Sequence, residues 1–353
     1  MPAKVAAILA EEIRAGRWSE RLPGYRDLCR KMGVSRRTME AALAQLEADG
    51  MLLPAKARRG HFIHPGAKSA VENQSSQRLF VASSVPLQAC DYVSREIVEG
   101  ISGLLVRKGW EVDHVVNRAL SAPKLERELE RQADGLAPGM WLLLEPALPA
   151  VRWAVSSDLR AICLGGEARE QPILCAAVSL RDMAAAAVKE LLAAGHRRIV
   201  VPIPPFSENA VATLTSVVAE CFRAKGTPFS PAYNTPVLAE RTPEALWECL
   251  RGVYSVTPPT AFVLMQIVEL HLFQSYCLRR GLRIPEDVSV VLLDDDPRLS
   301  WVKPEPTRFR YPVRRFIRTV ARWLENFPAK DRRGLTLLEP EFIKGGTIAS
   351  PAD

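Results

Sequence analysis

Two adjacent arginines, Arg36 and Arg37, stand directly behind Ser35, a residue type suited to cap a helix, with Thr38 completing the first turn. Guanidinium groups present forked donors to a carboxylate, a phosphate or the edge of guanine. Positive side chains at a helix amino terminus oppose the helix dipole, so local stability does not account for the pair, whereas an external anion or base edge does. A basic run from Lys56 to Gly60, with Arg58 and Arg59, follows and is succeeded by His61. The chemistry these residues suit is polyanion binding rather than bond making. The competing reading is a solvated basic face, since opposing the dipole costs little.

Nothing else in the chain assembles a catalyst. Base, nucleophile and orienting group do not occur at a recognisable spacing, and GxGxxG, GxxxxGK before Ser or Thr, GxSxG and HExxH are all missing. The 7 cysteines are scattered singly, with no CxxC pair and no histidine at ligand spacing, and read as small buried hydrophobes. His61 and His64 are two imidazoles, too few for a metal site, and His61 is expected to face phosphate or solvent. His196, beside Arg197 and Arg198, is expected to act as a cation on a carboxy-terminal helical turn. No enzyme, metal or cofactor is expected.

The elements that must position the arginines are legible. Val5, Ile8, Leu9 and Ile13 recur at helical spacing over 3–15, Leu22-Pro23-Gly24 makes a turn, and Tyr25 to Met32 gives a short helix stopped at Gly33. A third helix runs from its cap at Ser35 to Ala48, with Met39, Leu43 and Leu46 inward. Residues 51–53 and 61–63 read as two short strands around the basic loop. Helix, turn, helix and wing place the start of the third helix toward a major groove.

Composition sets the wider frame. With 353 residues, 48% apolar and 25% charged, the chain is an ordinary globular protein of two or three domains. Its net charge is +7, but residues 1–66 hold 12 Lys and Arg against 7 Asp and Glu, while the remaining 287 residues hold 35 against 33. The basic excess therefore sits in the amino-terminal segment. Apolar runs stop well short of the roughly 18 residues of a membrane span, and no signal-peptide pattern opens the chain, so a cytoplasmic protein is expected.

A polar stretch, 67–78, reads as a flexible tether to a domain over 79–350. There, apolar runs (79–85, 141–144, 161–164, 199–203, 261–265, 288–293) alternate with helical patterns (93–108, 183–194, 268–280), as in a parallel α/β architecture whose ligands sit beyond the strand carboxyl ends. Trp110, Trp141, Trp153, Trp247 and Trp323 are expected in cores or lobe packing.

Ile13-Arg14-Ala15-Gly16, Leu22-Pro23, Gly33-Val34-Ser35-Arg36-Arg37-Thr38, Ala42-Leu43 and Leu46-Glu47-Ala48-Asp49-Gly50 together resemble the GntR family of bacterial repressors over about 60 residues. That resemblance implies a winged-helix head with DNA-contacting positions at Arg26, Ser35, Arg36, Arg37, Thr38 and Gly60. Glu40 departs from it, standing where many members carry a basic residue, which points to a different operator sequence.

Gly195-His196-Arg197-Arg198-Ile199, the run Arg280 to Val291, Asp294-Asp295-Asp296, Pro304 to Tyr311 and Lys344-Gly345-Gly346-Thr347 resemble, in order, the periplasmic-binding-protein-like sensor of the lac repressor family. The resemblance implies two lobes joined by crossover strands, an effector cleft, and a final strand at Lys344 to Thr347. It places Asp294 first and Gln266 second as effector contacts, with Trp301 near the cleft mouth. The family's Asn-Asp pair aligns with Gln266-Ile267, and no arginine between Arg198 and Arg223 matches the family's sugar-clamping one. A different ligand, a partner protein or a lost effector site is thus implied.

The expected fold is an α/β chain, an amino-terminal winged helix-turn-helix plus a two-lobed periplasmic-binding-protein-like α/β domain. The expected function is a dimeric, ligand-responsive repressor that binds a pseudo-palindromic double-stranded DNA operator, with a small-molecule effector and no membrane partner. The alternative is a small-molecule-binding module with no regulatory DNA role.

Overall fold

The computed structural model describes residues 2–14, 18, 21–53, 61–64, 78–120, 139–168, 171–328 and 332–351. Its contacts form two compact units, one built on the amino-terminal residues up to Leu79 and one formed by most of the chain from Phe80 onward.

In the head, α1 (Pro2–Arg14), α2 (Tyr25–Met32) and α3 (Arg36–Ala48) each bury one face. Val5, Leu9 and Ile13 from α1, Leu28 from α2, and Met39, Leu43 and Leu46 from α3 form one core with Leu52 and Ile63. Ile8, expected on that face, is 44% exposed, and the small side chains of Ala6 and Ala10 are buried instead. Gly33 ends α2 at φ +61°, a left-handed conformation that a Cβ disfavours. The two expected wing strands pair, Leu52 bridging Ile63, and a third segment joins them where Arg21 bridges Phe62. Backbone bonds from Leu22 N to His61 O (2.9 Å) and Leu53 N to Phe62 O (2.8 Å) tie the three together. The loop with Arg58, Arg59 and Gly60 lies outside the described residues, as does the tether but for Arg78.

The large domain has two sheets. In the first lobe β1 (Arg78–Ser83), β2 (Glu111–Val116), β3 (Met140–Leu144), β4 (Ala161–Leu164), β5 (Leu174–Ala177) and β10 (Gly334–Leu337) lie in the order β10-β5-β4-β3-β1-β2. It also holds α4 (Tyr92–Val106), α5 (Leu148–Ser156) and α10 (Val313–Glu325). In the second, β6 (Ile199–Val200), β7 (Ala261–Leu264), β8 (Ser289–Leu292), β9 (Thr307–Arg310) and β11 (Glu341–Ile343) run β11-β9-β8-β7-β6. Its helices are α6 (Leu180–Ala193), α7 (Glu208–Ala224), α8 (Pro243–Val256) and α9 (Ile267–Arg280). Among the described residues the chain crosses between lobes three times, from β5 to α6, from β9 to α10 and from β10 to β11.

Strand alternation splits the second lobe into two cores. Ala261, Val263 and Val291 point to the side of α6 and α7, whereas Phe262, Leu264, Val290 and Leu292 pack with α8 and α9. Both faces of the sheet are covered, so its strands read as continuous apolar runs. The strands not expected were β2, whose Glu111, Asp113 and His114 break the apolar signal, and the short β5 and β10. The final strand is Glu341–Ile343, not Lys344 to Thr347. That last segment is a loop in which Gly345 lies so close to the Glu305 carbonyl that a Cβ would sit 2.2 Å from its oxygen.

His196 corrects the expectation of a helix-end cation. It is 1% exposed, with Nδ1 3.0 Å from Thr260 Oγ1 and Nε2 3.0 Å from Ser289 Oγ, and Ser289 Oγ also accepts from Ala349 N at 3.0 Å. The ring therefore joins the turn after α6 to the starts of β7 and β8. Burial lowers its pKa, so the native state holds it neutral. Its contribution is complete above the unfolded value of about 6.5 and is lost as pH falls below it. His196→Ala should lower the unfolding free energy by about 1–3 kcal/mol, because the buried Ser289 hydroxyl and the half-buried Thr260 hydroxyl each lose a partner, and should flatten the acid side of the stability profile measured by thermal melts.

Candidate nucleic-acid interface and effector cleft

The head places its arginines through one cap. Ser35 Oγ accepts from Thr38 N at 3.3 Å and lies 2.9 Å from Thr38 Oγ1, so the first turn of α3 starts at Arg36. A serine cap stabilises a helix start by about 1 kcal/mol, enough to offset a modest dipole penalty. Ser35, Arg36 and Arg37 are exposed, and Arg26 is exposed on α2. The two arginines then differ. Arg36 Nε donates to Glu40 Oε1 at 3.1 Å, its guanidinium carbon lies 5.7 Å from the Tyr25 ring centroid, and the Tyr25 hydroxyl donates to its carbonyl. Glu40, one turn on, orients Arg36 and raises its pKa through the hydrogen bond. Arg37 makes no ion pair among the described residues and extends from the same turn. His61 is turned inward, its Nδ1 3.7 Å from Glu47 Oε1 and its ring 6.5 Å from that of Tyr25, rather than open to phosphate.

In the large domain the carboxyl ends of β7 and β8 meet. Gln266 caps α9, Glu269 Oε2 accepts from Met265 N at 2.7 Å, and Asp294 Oδ2 accepts from Ile267 N at 3.1 Å. Gln266 and Asp294 therefore share one strand-end cluster. Asp294 is 7% exposed and its pKa is raised to about 7, first by burial and then by the Asp91 and Glu145 carboxylates of the other lobe. Asp91 caps α4, accepting from Ser94 N at 2.8 Å. Glu145 follows β3 at φ +43°, a strained conformation for a side-chain-bearing residue, and its pKa is also raised by desolvation and by Asp91. Arg241 is the cation that acts on it. The Tyr311 hydroxyl donates to Leu293 O at 2.9 Å, and burial together with the same carboxylates pushes its pKa up.

A hydrogen bond spans the lobes: Glu167, beyond β4, accepts from Ser207 N at 3.0 Å, and Ser207 caps α7. A carboxylate at a helix start complements the dipole. Asp91, Glu145, Glu167 and Tyr311 were not singled out from sequence. The usable signal was position, since Glu145 and Asp294 each follow a strand of an α/β sheet. Trp301 is 88% exposed at the end of a short 3-10 turn, the exposure of an outer face. Among the described residues no group of His, Cys, Asp and Glu could hold a metal ion, and no helix is long and apolar enough to cross a membrane.

Residues 2–63 match the model of the bacterial regulatory proteins of the gntR family. The winged helix-turn-helix of the head fits that match. Residues 188–348 match the periplasmic binding protein-like domain. Solved structures with the same fold include a LacI family transcriptional regulator from Enterococcus faecium with bound ribose, 16% identical over 77% of this chain and 99% of that one (TM-score 0.62). The transcriptional regulator CelR in complex with cellobiose is 17% identical over 92% of this chain and 100% of that one (TM-score 0.64). A LacI family regulator from Weissella paramesenteroides with bound glucose is 14% identical over 77% and 98% (TM-score 0.61). A comparison with curated proteins gave no match. A head that matches bacterial regulatory proteins and a large domain that matches a periplasmic binding protein-like domain together support a ligand-responsive transcription regulator.

The cleft makes a pH prediction for this gntR-headed regulator. Because the folded pKa of Asp294 lies above its unfolded value of 3.8, folding retains a proton that the unfolded chain releases. Stability from this group is therefore full below 3.8 and is lost as pH rises toward about 7. Melts of wild type and Asp294→Asn between pH 5 and 8 should show a difference that shifts in favour of the variant with rising pH and levels near neutrality. A pH-independent difference would contradict the burial of this charge.

Proposed function

We propose that the chain is an effector-responsive repressor that binds a pseudo-palindromic operator as a dimer. The observation that carries this reading is the exposed first turn of the gntR-family recognition helix, where Ser35 caps the helix, Glu40 orients Arg36, and Arg37 projects without an ion pair among the described residues. Arg36, Arg37 and Thr38 then read base edges, and Arg26 takes backbone phosphate. The wing residues Arg58, Arg59 and Gly60 add contacts from their loop, while His61 supports the wing from behind. In this reading the head is 1–66, the tether 67–78 and the sensor 79–350, and the protein works in the cytoplasm, where its DNA is.

The effector lies between the lobes, on Asp294 and Gln266 from one side and on Asp91 and Glu145 from the other. Four carboxylates including Glu167 against Arg241 favour a neutral polyol or a cation over an anionic sugar phosphate. A ligand that changes the Glu167 to Ser207 contact biases the lobes and, through them, the spacing of two heads. Dimerisation uses the outer face of the second lobe, where Val268 (63% exposed), Leu278 (82%) and Trp301 (88%) leave apolar surface open. Trp301 thus serves subunit contact instead of effector.

Selection of bound fragments from a random DNA pool tests the activity and yields half-site spacing. Against the selected site, Arg37→Ala should weaken binding by roughly ten- to a hundredfold if it reads a guanine, and Arg36→Ala by a similar factor, with Arg36→Ala, Arg37→Ala together abolishing the shift. Unchanged affinity in the double variant would overturn the placement of the arginines on DNA, and a pool that yields no bound fragment, with sugar or amine binding seen by calorimetry, would leave the small-molecule module as the function.

A further inference from the structure

Helix α10 carries a charge pattern that neither the fold nor the cleft uses. Arg314, Arg315, Arg318 and Arg322 are all exposed, and none of them forms an ion pair with a carboxylate among the described residues. The helix's own acid, Glu325, is held by Lys108 Nζ at 2.6 Å. A solvated helix face ordinarily alternates sign at i,i+4, but here Arg314, Arg318 and Arg322 place like charges at each such step, which disfavours the helix. The first turn contains no acidic residue and two arginines, the order that the helix dipole opposes. Local stability therefore gives no reason for the row.

The opposite face of the helix makes the row rigid. Phe316, Val320, Ala321 and Leu324 are buried, and α10 lies so close against α4 that a Cβ on Gly100 would meet Ile317 Cδ1 at 2.3 Å. Three guanidinium groups are thereby presented on one line at steps of about 6 Å along the helix. Such an array suits a regularly charged polymer. The nearest polyanion to this lobe is set by chain length: 13 residues separate His64 of the head from Arg78 of β1, a reach of at most about 50 Å. While the head is on its operator, the sensor is confined within about fifteen base pairs of duplex.

We propose that the α10 arginine row is a second, sequence-independent DNA contact, made by the sensor to phosphates flanking the operator. It rests on the operator-binding reading of the head and adds affinity and salt dependence without adding base specificity.

The test uses the full chain, the selected operator as a minimal duplex, and the same operator extended by fifteen base pairs on each side. Wild type should bind the extended duplex more tightly and with a steeper dependence of log K on log salt. Arg314→Gln, Arg318→Gln, Arg322→Gln together should reduce that slope by up to about 2.7 and erase the advantage of length, with the minimal duplex bound as by wild type. The triple lysine variant keeps the charges and should keep the slope, and thermal melts show that both variants fold. Equal binding of the two duplexes by wild type, or a glutamine variant with the wild-type slope, overturns the proposal and leaves the row to an acidic protein partner. Failure of wild type to bind either duplex overturns the operator reading and this contact with it; the Arg36→Ala, Arg37→Ala double variant, which should lose both duplexes, separates a head defect from a row defect.

Discussion

Three passages of backbone between the sheets govern what the large domain can do. A chain that crossed once would let the lobes swing freely, whereas crossings from β5 to α6, from β9 to α10 and from β10 to β11 allow rotation about a narrow waist and little else. The crossings also orient both sheets so that strand carboxyl ends meet across the cleft, which is why Glu145 beyond β3 and Asp294 beyond β8 act on each other although they are 149 positions apart. Arg308, buried on β9, pins one crossing by bonding Asp295 at 2.9 Å and Glu305 at 2.8 Å. With two carboxylate partners, that buried guanidinium is fully compensated, the condition under which a buried charge is tolerated.

The cleft itself is electrostatically unfinished. Asp294 has its oxygens bonded by two backbone donors, yet burial first, and then the Asp91 and Glu145 carboxylates, raise its pKa to about 7. In the effector reading, a ligand that supplies donors or positive charge to these groups would gain most in the state that brings them closest together. That difference is what moves a conformational equilibrium, irrespective of how tightly the ligand binds overall. The Glu167 to Ser207 contact works in the other direction, holding the lobes together with a bond the protein makes alone.

Much of this was readable before any coordinates. The second and third head helices fall where periodicity and the Gly33 and Ser35 signals put them, since caps and 3.6-residue spacing are local properties. The doubly covered strands β3, β4, β7 and β8 announced themselves as apolar runs. Edge strands did not: β2 and β10 alternate with exposed positions, and their identity comes from the neighbour they pair with. Arg36 and Arg37 look alike in sequence, yet only the helix geometry shows that Glu40 engages the first and that Tyr25 braces it. The cleft carboxylates other than Asp294 were hidden for a simpler reason. Positions 91, 145 and 294 are joined by topology alone.

Gly100 bears on all of this from an unexpected side. The hydrogen in place of a side chain at that position is what lets α4 and α10 seat so deeply that Ile317 fills the gap. A single methyl group there would force the stiff, branched isoleucine out of its rotamer or move two helices apart. Since α10 follows directly on the β9 crossing and α4 begins at Asp91, that wedge would be felt at the waist and at the cleft wall together. One missing carbon atom thus couples the outer surface of the first lobe to its interior machinery.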